Sequence, residues 1–194
     1  ILASGRVARK TMLRSAGLEF EVIPADIDER ALMESSEKEK HDVVHITEKL
    51  ALAKAKHIAA QHPNAMVIGS DQTLKFEGRI LSKSSTVEDG KNALRELAGK
   101  THRLYSSVCV VQNDNTLFTH TDYAKLTMHG FDEGFLEAYT TKDPDALVSC
   151  VGGYKIEGAG AWLFEHIKGD YYTIVGMPLL PLLAFLSAEC KILP

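Results

Sequence analysis

The sequence predicts a mixed α/β fold in a single domain. Helix-type and strand-type patterns alternate along the chain, and no linker-like, repeated or low-complexity segment interrupts them. With 45% hydrophobic content, 194 residues suffice for one well-buried core, pinched at most into two lobes. The domain is therefore expected to span residues 1–194.

Ile1–Ala3 reads as the end of a first strand, Arg6–Ala16 as a helix stopped by Gly17, and Phe20–Pro24 as a second strand. A loop carrying Asp26, Asp28 and Glu29 follows. From about Asp42 to Gln61, Val43, Ile46, Leu50, Ala53 and Ile58 recur near helical spacing, and Pro63 closes the element. Met66, Val67 and Ile68, ended by Gly69, form the pattern of a short buried strand that opens at a sheet edge, with Asp71 at its end. A hairpin turn at Glu77-Gly78-Arg79 comes next. A helix capped by Thr86 and Asp89 then runs to Gly99.

Thr101–Val111 and Thr116–Met128 are rich in β-branched and aromatic residues and flank Asn113-Asp114-Asn115, which predicts a long antiparallel hairpin. Shorter helices are expected at Asp132–Thr140 and Trp162–Lys168. Tyr171 to Ala188 contains no charged residue, but Gly176, Pro178 and Pro181 break it. The helical part, from Pro178 to about Ala188, is too short to cross roughly 30 Å of hydrocarbon and reads as a buried terminal helix.

A net charge of −4 argues against a sequence-independent grip on nucleic acid, which needs a broad basic face. Cys109, Cys150 and Cys190 are odd in number, widely spaced and without a C-x-x-C pattern, which fits a reducing cytoplasm. ILASGRVARK shows no apolar h-region, so no signal peptide is expected, and one or two residues including an initiator Met are expected before Ile1.

Arg6, Arg9 and Lys10 stand directly after the turn Ser4-Gly5. A strand, a small-residue turn and a helix start make an anion site, because the free N–H groups and the positive dipole end face whatever lies beyond the strand. The same pattern also describes a solvated helix face. Lys54 and Lys83 are further cations, while Asp28, Glu29 and Asp71 offer the hard oxygens that hold Mg²⁺ or Mn²⁺ beside phosphates; surface acids and lysines are the alternative. His41-Asp42-Val43-Val44-His45 copies the H-x-x-x-H spacing of zinc peptidases with Asp in place of Glu and no third ligand downstream, so it reads as a charged helix start. No G-x-S-x-G elbow is present.

In order along the chain, ILASGRVARKTML, ADIDE (25–29), LALAKA (50–55), VIGSDQ (67–72), LAGKTHRLYSSV (97–108) and the run from Gly152 to Leu179 resemble the Maf family of nucleotide pyrophosphatases. The resemblance implies a fold related to the inosine triphosphate pyrophosphatases, with a long curved mixed sheet, flanking helices and two lobes around a nucleotide cleft. It implies hydrolysis of a nucleoside triphosphate to the monophosphate and pyrophosphate with a divalent metal, Mg²⁺ or Mn²⁺, and a homodimer. Carried over, Ser4, Arg9 and Lys10 grip the triphosphate, Lys54 and Lys83 contact phosphates, Glu29 binds metal, and Asp71 is a general base or metal ligand. His102 is counted with the substrate-contacting residues.

Gln72 and Glu157, in S-D-Q and I-E-G, resemble the branch that prefers 7-methyl-GTP over the dTTP/UTP branch. A glutamate can accept two hydrogen bonds from N1–H and the exocyclic amine of guanine; a structural salt bridge is the other reading of Glu157. The chain departs from the family pattern at Arg6 for the second Ser, Val7 for Pro, Lys10 for the second Arg, and Ser84 for the Pro after Lys83. Lys binds as a point charge where Arg would bind bidentately, and Arg6 restores a charge. A weakly catalytic nucleotide-binding regulator of cell division and a general phosphohydrolase are the rival classes.

Overall fold

The computed structural model describes residues 1–192. Its strands are β1 (Val67–Phe76), β2 (Arg79–Leu81), β3 (Thr101–Gln112), β4 (Asn115–Met128) and β5 (Phe164–Lys168), joined in one sheet in the order β2-β1-β3-β4-β5. Its helices are α1 (Val7–Ser15), α2 (Glu29–Lys38), α3 (Val43–Ala59), α4 (Val87–Leu97), α5 (Glu133–Lys142), α6 (Pro144–Ser149), α7 (Tyr171–Val175) and α8 (Leu179–Cys190), with a 3₁₀ turn at Ala159–Leu163. The mixed α/β class holds, and among the described residues no helix is long and apolar enough to cross a membrane.

The chain divides into two compact units, neither continuous in sequence. Of the described residues, the first takes 1–72, 105–122 and 171–192, and the second takes 73–104 and 123–170. Strands β1, β3 and β4 each pass from one unit into the other.

The first unit is layered by the two-residue period of its strands. Ile68, Val108 and Val110 pack with Met12 and Leu13 of α1 and Leu179, Leu182 and Leu186 of α8. Their neighbours Val67, Cys109 and Val111 point the other way, onto Ala51, Ala55 and Ile58 of α3. Gly69 explains why this layer is so tight: a Cβ there would stand 2.3 Å from the Ala51 carbonyl oxygen. Gly69 therefore admits α3 to the strand instead of ending it. β1 continues through Asp71 to Phe76, and Asp71 is a mid-strand residue, contrary to the expected strand end.

The predicted strands Ile1–Ala3 and Phe20–Pro24 contract to single parallel bridges, Leu2 to Val22 and Leu2 to Ile68, because Leu2 inserts between two extended segments. The expected acidic loop is in part α2. Asp28 caps it by accepting from the Ala31 N–H, and Arg30 pairs with Glu34 one turn on, a local signal the apolar periodicity does not carry. In the same way Asp42 accepts from the His45 N–H and caps α3.

In the second unit β1 and β2 form a hairpin whose turn residues Glu77 and Gly78 both have positive φ, as a two-residue turn between right-twisted strands requires. Thr86 caps α4 through the Asp89 N–H. Leu74, Leu94, Leu104, Leu126, Leu136 and Leu147 are among its buried side chains. The helix expected at Trp162–Lys168 is absent among the described residues: the 3₁₀ turn ends at Leu163, and Phe164–Lys168 pairs antiparallel with β4 as β5. That pairing bridges some forty residues of sequence, so local periodicity could not reveal it. Helices α6 and α7, six and five residues long, also fall below what periodicity resolves.

Candidate active site

β1 brings the first unit's polar residues together by pointing them alternately to two sides. Asp71 shares the Gly69 face, toward α3, where it meets Lys54. The Lys54 Nζ lies 2.5 Å from Asp71 Oδ1 and 2.9 Å from Glu29 Oε1 at the head of α2. One ammonium thus ties two carboxylates, with Lys54 and Asp71 buried and the Glu29 side chain 45% exposed. Desolvated charges of this kind persist only when paired.

Ser70 and Gln72 face the other way, toward α7. Arg9, on the first turn of α1, is 2% exposed and donates from Nη1 to the Ser70 carbonyl at 2.8 Å and to Ser4 Oγ at 3.1 Å, and from Nε to the Gly176 carbonyl at 3.0 Å. Its Nη2 is buried with no partner among the described residues. Burial and then Arg6 push the guanidinium below its ordinary value, while Asp71 and Glu29 pull it up. A guanidinium starts so far above neutrality that it keeps its charge. The two clusters therefore feel each other electrostatically. Among the described residues no side chain caps the start of α1, and its first turn has no acid. Arg6 and Lys10 are half-buried beside it.

Gln72 donates from Nε2 to the Ile174 carbonyl at 2.9 Å, and to the Thr173 carbonyl and Ser106 Oγ at 3.2 Å each. Ser70 Oγ, Ser106, Thr173 and Gly176 were not among the sequence candidates. They lie on β1, β3 and at the close of α7, and only the fold makes them neighbours.

The remaining candidates belong to the second unit. Lys83 is exposed between β2 and α4, and Glu157 is exposed in the turn before the 3₁₀ segment. His102 occupies a core position at 1% exposure, its Nε2 2.6 Å from the Tyr154 hydroxyl and its ring against Tyr154 and Phe164. Burial pushes its pKa down to about 4, so the ring is neutral at pH 7. β3 turns the side chain of His102, counted above with the substrate-contacting residues, into the core of this unit.

The chemistry open to the first unit is that of an anion held beside a carboxylate. Glu29 and Asp71 are two hard-oxygen donors tied by one cation. Among the described residues no group of three or more His, Cys, Asp or Glu could hold a metal. Such a pair fits Mg²⁺ or Mn²⁺, which keeps waters and takes further oxygens from a phosphate, and does not fit a metal caged by protein alone.

A family model described as "Maf-like protein" matches residues 1–189. A Rhizobium etli protein named 7-methyl-GTP pyrophosphatase is 43% identical over 185 residues, covering 94% of this chain and 92% of its own. A Bradyrhizobium diazoefficiens protein named nucleoside triphosphate pyrophosphatase is 44% identical over 189 residues, covering 97% and 93%. A Paramagnetospirillum magneticum protein of that second name is 40% identical with both chains fully covered. Among solved structures, a HAM1 protein from Coxiella burnetii is 17% identical with a TM-score of 0.44, over 66% of this chain and 71% of that one.

Proposed function

The chain belongs to the Maf-like family, and from that premise we propose that it is a nucleoside triphosphate pyrophosphatase. Water attacks the α-phosphorus, the bond from that phosphorus to the α–β bridging oxygen breaks, and the monophosphate and pyrophosphate leave. The observation that carries the reading is the pair of clusters on one stretch of β1: Glu29–Lys54–Asp71 on one face, and Arg9 with a spare buried donor beside the uncapped start of α1.

Asp71 takes the proton of the attacking water, and Lys54 holds its carboxylate in place through the ion pair. Arg9, with Ser4, Arg6, Lys10 and the first N–H groups of α1, meets phosphate oxygens on which charge develops. A divalent cation, Mg²⁺ or Mn²⁺, would be held by Glu29 and Asp71 and would neutralise charge on the departing pyrophosphate. Lys83 adds a phosphate contact by family resemblance. Glu157 reads the base, and with relatives named for 7-methyl-GTP the favoured substrate is that methylated guanine nucleotide.

The test is product analysis over GTP, 7-methyl-GTP, dTTP, UTP, CTP and ITP with Mg²⁺ or Mn²⁺, pyrophosphate and orthophosphate scored separately, with Asp71→Asn alongside. Pyrophosphate released by the wild type and lost in a folded Asp71→Asn supports the reading. Orthophosphate as the product, or full activity in the variant, overturns it.

A further inference from the structure

We propose that His129, in its charged form, is a positioning residue for the turn that carries Glu157, and that discrimination between bases weakens when that charge is lost. The inference rests on the base-reading role given to Glu157 above.

His129 follows the last residue of β4 and is half-buried. Both its ring nitrogens meet backbone oxygens: Nδ1 lies 2.9 Å from the Gly130 carbonyl and Nε2 2.6 Å from the Trp162 carbonyl. A carbonyl oxygen only accepts, so both nitrogens must donate, and only the imidazolium carries two N–H groups. A neutral ring turns a lone pair toward one of the two oxygens and loses that arm of the bridge, whichever tautomer it takes. The bonds to Gly130 and Trp162 push the ring's pKa above the ordinary value of 6.5, against a smaller effect of burial. Of the charged groups on the segments packed against it, Glu165 of β5 acts in the same sense. Asp132 is engaged in capping α5, Glu133 is held by Arg95, and Lys100 by Glu77. The rings of Phe131 and Phe135 stand edge-on to the imidazole and carry no charge.

The Trp162 carbonyl lies near the end of a turn that is otherwise closed on itself. There the Ala161 carbonyl accepts from the Phe164 N–H and the Leu163 carbonyl from the His129 N–H, which leaves the Trp162 carbonyl to the imidazole. Upstream, the Lys155 carbonyl accepts from the Gly158 N–H, and a Cβ at Gly160 would stand 2.4 Å from that same oxygen. Lys155 is itself tied to Asp143 at 3.1 Å. The turn is thus compact, with Glu157 exposed within it, and the side chain that fastens it at Trp162 carries a charge that titrates. Because the folded ring has the raised pKa, the bridge is complete below 6.5 and is lost as pH rises through the folded value.

Trp162 is the single tryptophan of the chain and is 76% exposed, so its fluorescence anisotropy reports how firmly the turn is held. In the free protein the anisotropy is expected to fall between about pH 6 and about pH 8.5. It should stay low throughout in His129→Leu, which packs but has no donor, and high throughout in His129→Arg, which is charged at every pH of the window. The kcat/KM ratio of GTP to CTP is expected to follow the same three courses, since the shared triphosphate, metal and general base cancel from the ratio. Solvent screening holds the bond to the worth of an ordinary one, so the ratio should change by about two- to tenfold.

A wild-type ratio that is flat over this window, or that slopes equally in His129→Arg, overturns the proposal, as does a wild-type anisotropy that ignores pH. Failure of the Glu157 reading has a different signature. Glu157→Gln would match the wild-type ratio at about pH 6 while the anisotropy still followed His129, and the positioning role would fall with the reading it serves.

Discussion

The Lys54 ammonium and the Asp71 carboxylate form a buried ion pair at 2.5 Å, from the middle of α3 to the middle of β1, with side chains only 10% and 8% exposed. Removing one member of such a pair leaves the other charged and desolvated. Lys54→Met is therefore expected to destabilise the fold by about 3–5 kcal/mol. Asp71→Asn, whose amide still accepts from Lys54, should cost less. Denaturant unfolding of the two variants checks the order; equal losses would show that Asp71 has water enough to stand alone.

Glu157→Gln keeps the shape of the side chain and replaces one acceptor oxygen with a donor. If Glu157 meets N1–H and the exocyclic amine of a guanine, the variant loses one of two hydrogen bonds and gains a clash of donors. The expected outcome is a shift of kcat/KM from guanine toward pyrimidine nucleotides by about 1–3 kcal/mol, roughly five- to 150-fold. Competition assays with paired substrates read the ratio directly, and an unchanged ranking returns Glu157 to a structural role.

Gly69→Ala tests the close approach of α3. The added methyl would sit 2.3 Å from the Ala51 carbonyl oxygen and 2.8 Å from the Ala55 Cβ, and the first of these is backbone that cannot rotate away. Overpacking of this kind costs typically 1–3 kcal/mol. Because Asp71 stands two residues along the same strand face, activity should fall together with the melting temperature. An alanine variant of wild-type stability would mean that α3 does not pack as described.

His102 makes stability depend on pH. Its folded pKa is lowered by burial from 6.5 to about 4, so the unfolded chain binds the extra proton first as pH falls. Stability is therefore full above about 6.5 and is lost progressively as pH drops toward 4, by about 3 kcal/mol over that window. His102→Gln, which can still meet the Tyr154 hydroxyl, should flatten this part of the profile in urea titrations at several pH values. A slope equal to the wild type's would assign the acid sensitivity to other groups.

Strong local rules made much of this fold legible. Thr86 before Asp89, the apolar period of α3, the Glu77-Gly78 turn and the Asn113-Asp114-Asn115 reversal each act over a few residues, and the elements formed where those signals stood. Weak or distant signals did not carry: α2 is announced only by its Asp28 cap, and β5 exists only because β4 offers it an edge. Gly69 is the instructive case, since a glycine after three apolar residues reads as a stop until the helix it admits is seen.

The candidate site divides in the same way. By itself the sequence determined which residues carry charge and chemistry, Arg9, Glu29, Lys54 and Asp71 among them, because side-chain type and family motif are written in the chain. Tertiary structure alone decided that Lys54 lies between Glu29 and Asp71, that His102 is core, and that Gln72, Ser70, Ser106 and Arg9 converge on α7 and Gly176. Those partners stand up to 167 positions apart. Only the two-residue alternation of a strand held between helices selects which of them share a face.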